Sequence, residues 1–102
     1  MNFFKNIDYQ NTTSKIICDN NQYSYQDLFK DINNFKFLAN QKSLVFIISE
    51  NNYECIAAYS GVSYFDSVVL LLDNSINQET LEDLMNRFRP SYIFQNISRV
   101  SL

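Results

Sequence analysis

Glycine is almost missing from this chain: Gly61 is the only one in 102 residues, and there is no histidine. A loop that cradles phosphate groups needs several glycines, because its backbone N–H groups must approach the phosphate oxygens closely. The sequence offers no such loop. We therefore predict that no cofactor is bound by this chain on its own.

Cysteine is also scarce, with only Cys18 and Cys55. In a reducing compartment both are most simply small hydrophobic core residues, because a disulfide framework or a metal site needs more ligands. We therefore predict no metal site. Two triplets, at residues 11–13 and 96–98, match the N-glycosylation pattern. Without a secretory signal, we interpret them as coincidences of an asparagine-rich chain.

Long apolar runs and a surplus of positive charge are missing as well. The longest uncharged apolar run, residues 67–72, is much too short to cross a bilayer, and the N-terminus has no apolar stretch of signal-peptide length. The net charge is −3, so the chain lacks the basic surface typical of proteins that bind nucleic acids or anionic membranes. We expect a cytoplasmic protein with no membrane span and no nucleic-acid partner.

The residues that are present are typical of a globular protein, since 46% are hydrophobic and 16% are aromatic. A chain of this length forms one domain at most. We assign residues 1–96 to one α/β unit. Residues 97–102 have no periodic pattern, and we predict that they form an unstructured tail.

The strand pattern indicates the fold class. Residues 15–19 predict a short strand that turns back at Asn20 and Asn21 into an antiparallel partner. Residues 44–48 and 68–72 are continuous apolar runs, which are typical of parallel strands buried on both faces. Because helices alternate with these strands, we predict an open, mainly parallel α/β sheet with flanking helices and with both runs as central strands.

A first helix is predicted after Ser24, whose hydroxyl can cap the backbone amide of Asp27 in a capping box. Apolar residues then recur with helical spacing from Tyr25 to Ala39, and polar residues lie between them. This periodicity predicts one amphipathic helix that lies on the sheet.

Two further helices are indicated by asparagine caps. Asn51 can cap a second helix, which we expect to begin near Asn52. A third helix should begin near Asn77 and stop before Pro90. A last strand, residues 92–94, follows.

The second helix, Tyr53–Tyr64, is apolar almost all round its circumference. A single contact with a sheet covers only a stripe of such a helix, so we expect a surplus of exposed apolar residues. This surplus predicts self-association or a partner that covers the helix. We expect its small residues, including Ala57 and Gly61, to allow close approach to the sheet.

The order of these motifs resembles the adenylate-forming enzymes, the AMP-dependent synthetases and ligases that include acyl-CoA synthetases and adenylation domains. The resemblance spans about 80 residues from Lys15 to Phe94. It rests on the following segments, in the order in which that family has them: Ser24-Tyr25-Gln26-Asp27-Leu28, the apolar strand at 44–48, Asn51, Ala57-Ala58-Tyr59-Ser60-Gly61-Val62, Leu72-Asp73 and Pro90-Ser91-Tyr92-Ile93.

The resemblance implies that the chain is a partial N-terminal subdomain of a ligase that activates a carboxylate with ATP and Mg²⁺. The family's phosphate loop with its lysine, its ribose-binding acid and its C-terminal catalytic lysine all lie downstream of the matched region. No catalytic, cofactor-binding or metal-binding residue can therefore be carried over, and we expect no adenylation activity from this chain alone. Asp66 stands near a position where the family usually has glycine. The alternative is a stand-alone interaction module derived from such a domain.

Several polar residues could still form a site. Ser49, Asn51 and Asp73 lie at the predicted carboxyl ends of strands, where open α/β sheets bind ligands. We favour the simpler interpretation that Asn51 caps a helix and Asp73 begins a turn, because caps and turns prefer these residue types.

Two other groups resemble functional clusters. Glu50 and Glu54 could act as an acid–base pair, but acids are common at helix N-termini for electrostatic reasons, and we favour that explanation. Tyr53, Tyr59 and Tyr64 could form a stacking platform, but their helical spacing indicates core or interface positions.

Overall fold

The computed structural model describes residues 2–95, and the tail predicted at residues 97–102 lies outside them. The strands are β1 (Lys15–Cys18), β2 (Asn21–Ser24), β3 (Leu44–Ser49), β4 (Val68–Asp73) and β5 (Tyr92–Phe94). The α-helices are α1 (Tyr25–Ile32), α2 (Tyr53–Tyr64) and α3 (Gln78–Phe88). Two 3-10 helices span Phe3–Asn6 and Asn33–Leu38.

An antiparallel hairpin of β1 and β2 precedes α1, with Cys18 opposite Asn21. Its two-residue turn is Asp19-Asn20, both with positive φ of 53° and 64°. The turn predicted at Asn20-Asn21 is therefore wrong by one residue. Tight hairpin turns favour positive φ at both central positions, since that backbone twist matches the twist of the flanking strands.

The parallel sheet contains three strands in the order β4-β3-β5. Leu44 lies opposite Val68 at one end of the β3–β4 pair, and Ser49 lies opposite Asp73 at the other. The predicted α/β architecture with a parallel sheet and flanking helices is confirmed. Within residues 2–95, β4 lies at the edge of the sheet and only β3 is flanked on both sides, so the prediction of two central strands is wrong.

The edge position of β4 is compatible with its apolar run. Leu70 and Leu72 pack in the cluster with α3, and Val69 packs in the cluster on the other face. Val68 and Leu71 are nevertheless 61% and 48% exposed. A continuous apolar run indicates that both faces of a strand are covered, but it carries no information on whether the outer backbone edge is paired.

The helices cover opposite faces of the sheet. Val45 and Ile47 of β3 pack with residues of α2 and the second 3-10 helix, whereas Phe46 and Ile48 pack with Leu81 of α3. The chain leaves β3 toward β4 on one side and then crosses to β5 on the other. Right-handed crossovers in opposite directions place their helices on opposite faces of the sheet. This arrangement accounts for the separate apolar clusters on the two faces.

The first helix is shorter than the sequence predicts. The capping box is confirmed, because the Ser24 hydroxyl accepts a hydrogen bond from the Asp27 amide at 2.9 Å. However, α1 ends at Ile32 and continues as a 3-10 helix. Ile32, Phe35 and Leu38 are buried. Their spacing of three matches the three residues per turn of a 3-10 helix and presents all three to the core.

Helix α2 begins where we expected, but its cap is Asn52 and not Asn51. The Asn52 side chain accepts a hydrogen bond from the Cys55 amide at 2.9 Å. Most of α2 is covered by the chain itself, so the predicted apolar surplus is confined to Ile56 and Tyr59, which are 40% and 38% exposed. Other apolar residues of this helix are buried, including Tyr53, Ala57 and Val62.

The close approach predicted at the small residues of α2 occurs at Gly61, but its neighbour is not the sheet. A side chain at this position would collide with the ring of Phe35, whose Cγ would lie 2.8 Å from an added Cβ. The single glycine of the chain therefore accommodates the second 3-10 helix. Between residues 2 and 95, no helix has the length and apolar character needed to cross a bilayer.

Candidate functional site

A cleft of about 500 Å³ opens at the carboxyl end of β3. Its walls come from distant parts of the chain: the N-terminal 3-10 helix, the hairpin turn, the loop after β3, helix α2 and the edge strand β4. Ligands of open parallel sheets bind outside the carboxyl ends of the strands. The cleft is therefore the leading candidate for a functional site in the described part of the chain.

The walls of the cleft are apolar. Helix α2 contributes Ile56 and Tyr59, which are neighbours on its exposed side, and β4 contributes Leu71. The ring of Phe4 meets that of Tyr59 edge-on, with 5.8 Å between ring centroids. The N-terminal 3-10 helix thus extends the apolar surface of α2 by one aromatic ring.

Both cysteines line this cleft as free thiols. Cys55 is buried, as predicted, and its Sγ lies 4.0 Å from the Ser49 hydroxyl oxygen. Cys18 is only half-buried. Desolvation raises the pKa of the Cys18 thiol, and the carboxylates of Asp19 and Glu54 raise it further. The environment of Cys18 therefore favours the neutral thiol and not a reactive thiolate.

The rim of the cleft is acidic. Asp19 of the hairpin turn and Glu50 of the loop after β3 both line it, and none of the lining residues, all within 2–95, is basic. The N-terminus of α2 also faces the cleft, but Asn52 already occupies the Cys55 amide and Glu54 lies in the first turn. The occupied Cys55 amide and the negative charge of Glu54 make anion binding unfavourable at that helix end.

The acidic rim does not fit the phosphates of ATP. Phosphate sites commonly carry cationic side chains, and the lining residues include acids but no Lys or Arg. Among residues 2–95, no group of three or more His, Cys, Asp or Glu residues is placed to hold a metal ion.

The strand-end residues named from the sequence do come together. Ser49, Asn51 and Asp73 line a shallow concavity of about 130 Å³ beside the main cleft. Asp73 begins a turn, as we favoured: its carboxylate accepts a hydrogen bond from the Ser75 amide at 2.8 Å, which lowers the pKa of Asp73. Asn51, in contrast, caps no helix.

The other clusters named from the sequence have structural roles. Glu50 accepts a hydrogen bond from the Asn52 side chain at 3.3 Å, and Glu54 lies in the first turn of α2. Of the three tyrosines, Tyr53 is in the core, its ring stacked on that of Tyr23 with centroids 3.8 Å apart. Tyr59 lies at the cleft and Tyr64 packs beside other aromatic rings.

A buried polar pair connects α1 and α2. The Tyr53 hydroxyl donates a hydrogen bond of 2.7 Å to the Asp31 carboxylate, and both residues are buried. The pair is enclosed within the core between the two helices and is separate from the residues that line the cleft. It fixes how the two helices pack, since a buried carboxylate needs such a partner.

Sequence reasoning identified only part of the cleft. It placed Ser49 and Asn51 at strand ends where ligands can bind, although it favoured cap and turn roles there, and it named Glu50 separately. It missed Phe4 and Leu71, because no local pattern links the N-terminus, an edge strand and a hairpin turn. The available signal was the Phe-Phe pair at residues 3–4 in an otherwise polar N-terminal segment.

Comparisons with known proteins give no assignment. No protein-family model matches this chain, and neither the search of curated proteins nor the search of solved structures found a match. The fold and the cleft therefore define this chain as a small α/β protein with a three-stranded parallel sheet, and no narrower class is assigned.

Proposed function

We propose that this chain is a non-catalytic α/β scaffold whose edge strand and neighbouring α2 surface are covered by a further polypeptide, and that in the isolated chain a second copy covers the same surface. The observation that carries this proposal is the outer edge of β4, which no strand in the described range 2–95 pairs with. This six-residue strand contains no charged residue before Asp73, and Val68 and Leu71 are exposed on it. Edge strands that remain solvent-exposed usually carry charges, proline or a bulge.

The α2 surface extends the same apolar region. Leu71 of β4 lines the cleft together with Ile56 and Tyr59 of α2, so the strand edge and the exposed side of the helix are continuous. Contiguous exposed apolar surface of this kind commonly marks a protein interface.

One form of the proposal makes the covering surface the remainder of an adenylate-forming ligase. The order of the motifs from Ser24-Tyr25 to Pro90-Ser91-Tyr92-Ile93 favours this form. ATP and Mg²⁺ would then be bound by the other part of the ligase. The second form is a stand-alone interaction module, and the exposed Ile56 and Tyr59 favour it. A glycine-rich loop encoded directly after Leu102 would support the ligase form, and its absence would support the module.

Sedimentation of the isolated chain tests the proposal. At about 100 μM, well above the Kd of ordinary stable complexes, we expect concentration-dependent association. Leu71→Lys and Tyr59→Lys should each reduce the association, because a desolvated ammonium in an apolar contact is costly. Phe88→Lys is the control, since Phe88 is 52% exposed on α3 and lies outside the proposed surface.

Two outcomes would contradict the proposal. One is a wild-type chain that sediments as a monomer over the whole concentration range. The other is an equal loss of association in the Phe88→Lys control, which would indicate nonspecific aggregation through any exposed apolar residue.

A further inference from the structure

We propose that the cleft at the carboxyl end of β3 binds a small organic cation with an apolar body, such as an alkyl or aryl ammonium compound. The cleft shares Ile56, Tyr59 and Leu71 with the surface that the proposed scaffold function covers. The inference therefore concerns the uncovered single chain, where the ligand would compete with the covering polypeptide, and it can hold or fail separately from the scaffold function. It rests on the shape, the walls and the charge of the cleft.

The shape favours a small molecule. A volume of about 500 Å³ lies within the range of about 300–1,000 Å³ that is usual for small-molecule sites. The walls come from five segments of the chain, and most of their surface is apolar. An apolar wall of this kind suits a small ligand with an apolar body.

The walls select an apolar body. Phe4, Ile56, Tyr59 and Leu71 supply aromatic and aliphatic surface, and Cys55 adds a buried thiol. Tyr59 presents an aromatic ring to the cleft, and such a ring attracts a cation that lies over its face. An alkyl chain against these walls gains free energy in proportion to the apolar area removed from water.

The rim selects a positive head group. Asp19 and Glu50 line the cleft from opposite elements, the hairpin turn and the loop after β3, and no basic side chain lines it. Glu54 and Asp73 add negative charge nearby: Glu54 raises the pKa of Cys18, and Asp73 shares a concavity with Glu50. Within residues 2–95, the salt bridges of Lys5 and Arg87 engage Asp66 and Asp83 and neither rim carboxylate.

The rim charge also separates this ligand from a nucleotide or a carboxylate. An anion in the cleft would share it with the carboxylates of Asp19 and Glu50, and the Cys55 amide at the N-terminus of α2 is already bonded to Asn52. The electrostatic preference for a cation should weaken as salt is added, because both carboxylates are near solvent.

Three probes with the same alkyl chain test the proposal: hexylammonium, hexanol and hexanoate. Their binding is followed by the amide chemical shifts of the ¹⁵N-labelled chain, at a protein concentration where sedimentation finds monomers. We expect hexylammonium to bind at millimolar concentration and roughly threefold to tenfold more tightly than hexanol, as two partly exposed carboxylates allow. Hexanoate should bind most weakly. The shifts should change at Ile56, Tyr59 and Leu71.

Charge-neutral variants identify the source of the preference. Asp19→Asn and Glu50→Gln keep the shape of the rim, and Asn also tolerates the positive φ of position 19. The double variant should bring the affinities for hexylammonium and hexanol within about twofold of each other, leaving hexanol binding unchanged. Asp83→Asn on α3 is the matched control and should keep the full preference.

Each remaining outcome overturns the proposal. Hexanoate binding as tight as hexylammonium binding would show that the rim charge does not select the ligand. A preference that survives the double variant would contradict the roles of Asp19 and Glu50. The absence of saturable shifts with any probe, or shifts confined to residues outside the cleft, would show that the cleft is not a small-molecule site.

Discussion

At the scale of single residues, Asp66 shows how a backbone requirement and a side-chain contact meet at one position. Asp66 follows α2 with a φ of 63°, in the left-handed region. Its carboxylate accepts hydrogen bonds from the Asn2 side chain at 2.9 Å and from Lys5 at 3.4 Å. The Asn2 hydrogen bond and the charge of Lys5 lower the pKa of Asp66. These contacts attach the N-terminal segment to the end of α2.

Two substitutions at Asp66 separate these contributions. Asp66→Gly and Asp66→Ala both remove the carboxylate, but only Ala keeps a Cβ in the left-handed region. We therefore expect Asp66→Ala to be less stable than Asp66→Gly by about 1 kcal/mol, because the left-handed strain exceeds the entropic cost of glycine. Urea unfolding of both variants measures this difference. Equal stabilities, or a more stable Ala variant, would contradict the assigned strain.

At the scale of secondary-structure elements, the packing of α2 against the second 3-10 helix depends on Gly61. The Phe35 ring occupies the space that a side chain at position 61 would need. We expect Gly61→Ala to destabilise the fold by about 1–3 kcal/mol through overpacking. In a Phe35→Leu background the same substitution should cost clearly less, because leucine has no ring at this contact. A double-mutant cycle from denaturant unfolding measures the coupling. The same cost in both backgrounds would contradict this packing.

The elements also show which parts of the fold local sequence predicts. The capping box at Ser24 and the ends of α3 were predictable, because caps and proline act through neighbouring residues. The change from α-helix to 3-10 helix after Ile32 was not predictable from local sequence. The 3-10 segment buries Phe35 against Gly61, which lies far along the chain. The cap at Asn52 was missed because the adjacent Asn51 and Asn52 are equally good caps. Local sequence does not distinguish them, whereas the packing of Cys55 in the core favours a helix that begins after Asn52.

At the scale of the whole molecule, the sequence predicted which segments are strands but not how they are arranged. The runs in β3 and β4 are both apolar, yet β5 pairs with β3 and leaves β4 at the edge. That arrangement depends on the direction of the crossover through α3, which no local pattern encodes. The cleft was unpredictable for the same reason. It combines the Phe4 ring, the hairpin turn and β4, which meet only in the folded chain.

The most direct test of the scaffold account is hydrogen exchange of the β4 amides at two protein concentrations. In the dilute monomer, the amides of β4 that point away from β3 should exchange much faster than those of β3, since an edge strand leaves alternate amides unpaired. At about 100 μM, where ordinary stable complexes form, the account predicts new protection at β4 and at Ile56 and Tyr59 of α2. Protection that appears on α3 instead, or exchange in β4 that is as slow as in β3 at every dilution, would contradict it.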